Sequence, residues 1–258
     1  MAIAIAINSL TLRFQTHLPV IENFSLNVTN GQFVSIVGPS GCGKTTLLNV
    51  LTGILPFEEG SITIAGKPPV IGNPDIAYML ARDSLLPWRS ALGNAYYGME
   101  LRGVSKQERK ARALNLLKRV GLKDFENAWP KTLSQGMRQR VALARTFALT
   151  SPVLLMDEPF AALDAQTKLQ LEDLTLELWE NEHRTVLFVT HDLAEAVALS
   201  DRIIVMSKRP GRIIADIPIP LPRPRTVQAL HKDHDFHQIY VRVWEKLQEG
   251  LGEDADQK

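Results

Sequence analysis

Phe33-Val34-Ser35-Ile36-Val37 runs into Gly38-Pro39-Ser40-Gly41-Cys42-Gly43-Lys44-Thr45-Thr46, and then into Leu47-Leu48-Asn49-Val50-Leu51. The first piece is an apolar, β-branched run, and the last is an apolar stretch of helical composition. The glycine-rich piece between them fits G-x-x-x-x-G-K-[ST], a pattern that has meaning when it joins a strand to a helix. Glycines allow successive backbone N–H groups to turn inward around an anion, and the helix N-terminus adds partial positive charge. Lys44 supplies a point charge for β- and γ-phosphates, and the Thr45 hydroxyl suits Mg²⁺. Gly38 through Thr46 are therefore the expected nucleotide-binding residues, with ATP and Mg²⁺ as the expected ligands. Cys42 has two readings: a small filler of the loop, or an oxidation sensor made reactive by the helix N-terminus.

A second run, Val153-Leu154-Leu155-Met156, ends in Asp157-Glu158. A parallel strand would bring those carboxylates to the crevice that holds the glycine loop. Asp157 then suits the Mg²⁺ shell beside Thr45, and Glu158 suits polarisation of the attacking water.

Further apolar runs at Ser61–Ile64, Thr185–Val189 and Arg202–Met206 alternate with helical stretches, so the chain reads as α/β. The alternation Ile3, Ile5, Ile7 reads as an N-terminal strand. From about residue 85 to 150 no good strand occurs. There Ser105 with Glu108 signals a helix start, and Ala111, Leu114, Leu117 and Leu122 recur at helical spacing. The expectation is an α/β core interrupted by a helical subdomain. Prolines at 218, 220, 222 and 224 predict an extended connector, and a final helix is expected from about His237 to Leu247.

Composition narrows the class. The 258 residues are 45% hydrophobic and 22% charged with net charge +1, which fits a globular chain and argues against nucleic-acid binding by bulk charge. The single cysteine excludes an internal disulfide. No apolar run is long enough for a membrane span, and the N-terminus predicts no signal peptide, so membrane contact is expected only through a partner.

With these motifs in place the chain resembles the nucleotide-binding subunits of ABC transporters along nearly its whole length. Leu133-Ser134-Gln135-Gly136-Met137 is similar to the family signature, Ala162-Leu163-Asp164 to its D-loop, and His191 in Thr190-His191-Asp192 to its switch histidine. Phe14 corresponds to the aromatic that stacks on adenine. The resemblance implies a P-loop NTPase core (1–225, with the helical subdomain at 85–150) and a C-terminal helical extension (226–258). It also implies a sandwich dimer of two copies, in which Ser134, Gln135 and Gly136 of one meet the nucleotide of the other, close to Asp164. His191 would contact the γ-phosphate and hold Glu158 and the water in line. Leu85-Leu86-Pro87-Trp88-Arg89, Ser207–Ile213 and Leu221-Pro222-Arg223-Pro224-Arg225 resemble marks of nitrate/sulfonate/taurine-type importers, a group that also takes up pyrimidine precursors. The implied partners are integral-membrane permease subunits and, indirectly, an extracytoplasmic substrate-binding protein. The implied place is the cytoplasmic face of the membrane.

One position departs from the family. Six residues before Pro87 the family carries a glutamine that reaches Mg²⁺ and the attacking water; here the residue is Ala81, and no glutamine occurs from Phe33 to Lys106. A methyl group does neither job, so slow hydrolysis, or a regulatory subunit with a degenerate site, is the alternative reading. Asp83 or a water is a possible stand-in. A chromosome-maintenance ATPase is excluded by length, because only 51 residues lie between Ala81 and Leu133 and they hold no sustained heptads. A translation-associated relative would need two cassettes. His231, His234 and His237 suggest a metal site by spacing alone, and the plainer reading is a solvated helix start.

Overall fold

The computed structural model describes residues 2–14, 18–161 and 163–252. In chain order its elements are β1 (Ile3–Arg13), β2 (Pro19–Thr29), β3 (Phe33–Val37), α1 (Lys44–Leu51), β4 (Glu59–Ile64), β5 (Ile76–Met79), α2 (Ala91–Leu101), α3 (Lys106–Arg119), α4 (Gln135–Ala148), β6 (Val153–Asp157), α5 (Ala165–Glu182), β7 (Thr185–Thr190), α6 (Leu193–Leu199), β8 (Arg202–Met206), β9 (Ile213–Pro218), α7 (Val227–Leu230) and α8 (His234–Gly252).

The strands form two sheets, a small antiparallel one in the order β2-β1-β4 and a larger one in the order β5-β6-β7-β3-β8-β9. Every neighbouring pair of the larger sheet is parallel except β8 with β9. Its central strands are buried on both faces, which is why their sequences are continuously apolar rather than alternating. The period of two sorts their side chains into two cores. Phe33, Val37, Leu154, Met156, Val186, Phe188, Ile203 and Val205 face the helical side. Val34, Ile36, Val153, Leu155, Leu187, Val189, Ile204 and Met206 face α1 and the antiparallel sheet. α1 is thus enclosed between two sheets, and the loop that precedes it sits at their shared edge.

Between β5 and β6 lie α2, α3 and α4, which pack on one another as the expected helical subdomain. Ser105 caps α3, accepting from the Glu108 N–H at 3.3 Å. The buried face of α3 differs from the expected one: Ala113, Leu116, Leu117 and Val120 point inward, whereas Ala111 is exposed and Leu114 only half-buried. Leu122 is buried beyond the helix end, so counting it as part of the stripe rotated the expected face. Three strands absent from the sequence reading complete the sheets. β5 is only four residues long, β9 is a proline-ended edge strand, and the polar residues of β2 masked its alternation.

The last helix begins three residues before its expected start, because Asp233 accepts from the Phe236 N–H at 3.0 Å and so caps the chain at that point. It runs on to Gly252 and sets Phe236 and Val243 into the main core.

Phe33 anchors the larger core, with its ring centroid 5.6 Å from that of Trp179 and 5.8 Å from that of Phe188. Phe33→Ala should destabilise the chain by about 3–5 kcal/mol, read as a lower midpoint in urea unfolding.

Candidate functional site

The glycine loop closes at the end of β3 with Gly41 and Gly43 at positive φ, 80° and 107°. A Cβ at Gly43 would also lie 2.9 Å from Cγ1 of Ile21, so both backbone sign and space require glycine there. Lys44, at the start of α1, is only 5% exposed. Its Nζ donates to the Gly38 carbonyl at 2.8 Å and the Pro39 carbonyl at 3.2 Å, and lies 4.0 Å from Oε1 of Glu158. The ammonium is thereby held across the mouth of its own loop.

Asp157 ends β6 beside it, and the Thr45 hydroxyl donates to Asp157 Oδ1 at 3.0 Å. Burial raises the Asp157 carboxyl above its ordinary value, with the Glu158 charge adding to the effect and the Thr45 hydrogen bond opposing it. Glu158 has φ 42°, a left-handed conformation that costs of order 1–3 kcal/mol for a residue other than glycine. Its N–H donates to the Val189 carbonyl of β7 at 2.8 Å, which keeps the turn in register. His191, just past β7, sits with Nδ1 2.9 Å from Glu158 Oε2. A carboxylate only accepts, so Nδ1 carries the proton of that bond. The structure therefore brings Lys44, Thr45, Asp157, Glu158 and His191 into one cluster.

The remaining expected residues have contacts of their own. Ser134 caps α4, accepting from the Met137 N–H at 3.3 Å, and a Cβ on Gly136 would lie 2.9 Å from Cγ2 of Thr167. Asp164 caps α5, and hydrogen bonds from the Thr167 backbone hold its carboxyl below its usual range. Gln135 is exposed and lines a cavity of about 440 Å³ with Ala81 and Gln139. Phe14 is half-exposed just beyond β1. Ala162, named with the D-loop, lies outside the described residues, as does the tail from 253 onward.

Two stand-in roles are corrected. Cys42 is buried, packs beside Gly38 and Met206, and burial pushes its thiol up despite nearby Lys44, so it lacks the thiolate character of an oxidation sensor. Asp83 does not replace the glutamine missing at Ala81. Its carboxylate accepts from Arg138 Nε at 2.8 Å, and Arg145 holds its backbone carbonyl at 2.7 Å. The three histidines have separate contacts: His231 meets the edge of Phe236, His234 bonds Gln238, and His237 bonds the Asp233 carbonyl.

The structural roles of two residues escaped the sequence reading. Gln139 donates to the Pro159 carbonyl, tying α4 to the turn that carries Glu158; its only signal was a position one turn beyond Gln135. Gly211 seats the Ser207–Ile213 turn against the phosphate loop. A Cβ there would stand 2.2 Å from the Cys42 carbonyl oxygen and 2.6 Å from the Met206 methyl. Gly211 N–H also donates to the Val20 carbonyl at 2.8 Å, and its own carbonyl accepts from Glu22 at 3.2 Å. This contact spans 169 positions of sequence, and no local pattern signals it.

A sequence model of the ABC transporter family matches residues 21–161. A putative ATP-binding protein of Brucella abortus biovar 1 (strain 9-941) is 42% identical over 240 residues, 93% of this chain and 92% of that protein. The taurine import ATP-binding protein TauB of Rhizobium johnstonii is 43% identical over 203 residues, 79% of this chain and 78% of that protein. Among solved structures, a dimeric post-hydrolysis state of the ATP-binding cassette MJ0796, bound to ADP and Pi, is similar with TM-score 0.74 and 31% identity, over 84% of this chain and 100% of that one. The chain belongs to the ABC transporter family, as an ATP-binding subunit whose ATPase activity is coupled to transport.

Gly211→Ala forces the phosphate loop to move. Overpacking of this kind costs about 1–3 kcal/mol, so affinity for a fluorescent ATP analogue should fall by about tenfold or more, with the fold retained by circular dichroism.

Proposed function

We propose that this chain powers an importer for a small solute of the nitrate, sulfonate, taurine or pyrimidine-precursor class. Two copies would bind ATP between them beneath a membrane permease, fed by an extracytoplasmic substrate-binding protein. The observation that carries the hydrolytic part is the clamped carboxylate: Glu158 lies between His191 at 2.9 Å and Lys44 at 4.0 Å, one residue from the Asp157–Thr45 pair. The importer class is supported by the 43% identity to the taurine protein and by the Leu85–Arg89 segment.

In this reading the backbone N–H groups of residues 40–46 and the Lys44 ammonium bind the phosphates, which replace the Gly38 and Pro39 carbonyls as partners of Nζ. Thr45 and Asp157 offer hard oxygen donors, and a buried carboxylate whose protonation is favoured by desolvation gains from a cation, so the pair fits Mg²⁺. Mg²⁺ bound there supplies charge neutralisation for the β- and γ-phosphates. Glu158 orients the attacking water and accepts its proton, while His191 fixes the carboxylate through Nδ1. Ser134, Gln135 and Gly136 meet the γ-phosphate bound by the second copy, near its Asp164, and Phe14 stacks on the base.

No helix among the described residues is long and apolar enough to cross a membrane. The permease contact is placed on the helical subdomain, where Trp88, Phe125 and Trp129 are exposed. Their segments are joined by hydrogen bonds from Ala91 to the Ala128 carbonyl and from Leu92 to the Glu126 carbonyl. In this reading the permease would hold the chain at the cytoplasmic face of the membrane.

The cavity beside Ala81 and the engagement of Asp83 favour a second reading, a slow nucleotide-binding regulatory subunit. Mg-ATP hydrolysis across a range of protein concentrations, beside Glu158→Gln, separates the two. Turnover that rises with concentration and collapses in the variant supports the transport ATPase. Turnover no greater than that of the variant leaves two readings, hydrolysis that depends on the permease or the regulatory subunit. Loss of a water-orienting group costs on the order of 10²-fold, so Ala81→Gln should raise kcat substantially; an unchanged rate would show that Ala81 is no handicap.

A further inference from the structure

Behind His191 lies a buried charged cluster that the reaction does not use. Lys168, on the first turn of α5, places Nζ 2.6 Å from Asp192 Oδ2, 2.6 Å from Glu195 Oε1 and 4.0 Å from Glu172 Oε1. Glu172 and Glu195 are almost wholly buried. One ammonium thus serves three carboxylates. Burial pushes the Glu172 carboxyl up to about 8, with Glu195 adding to the effect. Burial opposes the Lys168 charge, but Glu195 and Asp192 outweigh it and raise its pKa.

The bonds of the cluster enclose His191 from both sides. Asp192 Oδ1 caps α6, accepting from the N–H groups of Ala194 at 2.8 Å and Glu195 at 3.2 Å. The Thr190 hydroxyl accepts from the Asp192 N–H at 3.0 Å and donates to Glu195 Oε2. The residue after His191 is therefore bound to Lys168 directly, and the residue before it through Glu195. At the other end, α5 opens at its Asp164 cap, and Thr167, next to Lys168, touches Gly136 of α4.

We propose that Lys168 is a positioning residue for hydrolysis, which fixes the Thr190–Asp192 turn so that His191 meets Glu158 and which carries to that pair any displacement of the Asp164 end of α5. A helix moves as a rigid body over one turn, so a shift at its cap reaches the ammonium undiminished. This rests on the reading of Glu158 and His191 as the hydrolytic pair.

The test uses the full chain with Lys168→Met and Lys168→Arg, alone and combined with His191→Ala. Lys168→Met should lower kcat by about tenfold with KM within about twofold, and Lys168→Arg should recover most of the loss. In the His191→Ala background, Lys168→Met should cost less than about twofold more, since it acts through that histidine. Imidazole nitrogen NMR without nucleotide, with His191→Ala as the assignment control, should show a fixed Nδ1–H tautomer at His191 in the wild type and Lys168→Arg, and a mixture in Lys168→Met. Equal losses in both backgrounds, or an unchanged tautomer in folded Lys168→Met, would overturn the proposal. If Lys168→Met does not fold, Glu195→Gln takes its place, because it cuts the charged link on the Thr190 side and leaves the Asp192 link intact. Wild-type turnover no greater than that of Glu158→Gln would sink the hydrolytic reading instead, and the tautomer spectrum would still decide the role of Lys168.

Discussion

A buried ammonium is the constraint to which the rest of this molecule answers. Lys44 is almost wholly removed from water, and its nearest carboxylate oxygen is 4.0 Å away. Charge so placed is costly unless dipoles or counter-charges surround it. The carbonyls of Gly38 and Pro39 do so, which requires the loop to curl back over the helix that follows. That curl requires left-handed backbone at Gly41 and Gly43, together with a strand on each side of β3 to hold its end in place. The parallel sheet, the glycines and the carboxylates at the end of β6 are one solution to one electrostatic problem.

Glu158 shows the same logic in the backbone. Its left-handed turn is tolerated because Val189 accepts its N–H and Gln139 ties down the following proline's carbonyl. The strain redirects the chain by one residue, so that adjacent carboxylates have different partners: Asp157 takes the Thr45 hydroxyl, and Glu158 takes His191. An unstrained strand end would have sent the two side chains to opposite faces.

What could be read from the sequence was what is local. The glycine loop and the Asp157–Glu158 strand end carry their pattern in a few consecutive residues, and the structure sets them at the ends of β3 and β6, with helices α2 to α4 between β5 and β6. β5 and β9 carried too little pattern to be seen. The α3 face was misjudged, with Ala111 taken for Ala113, because Leu122 beyond the helix end was counted into the stripe and an alanine marks a face weakly. Lys168 and Glu172 are spaced as an ordinary solvated i,i+4 pair, and only the approach of α6 reveals that Glu172 is buried. Cys42 at a helix N-terminus suggested reactivity, and the packing of Gly38 and Met206 around it decided otherwise.

Gly211 has a mechanical consequence. Its N–H and carbonyl are hydrogen-bonded to β2, and its bare Cα lies against the Cys42 carbonyl of the glycine loop with no side chain between them. The antiparallel sheet and the glycine loop are therefore braced against the same backbone point. On the helical side, Gln139 and the Arg138–Asp83 pair fasten α4 to the residues that follow β6 and β5, so the carboxylate turn is braced from both halves of the chain.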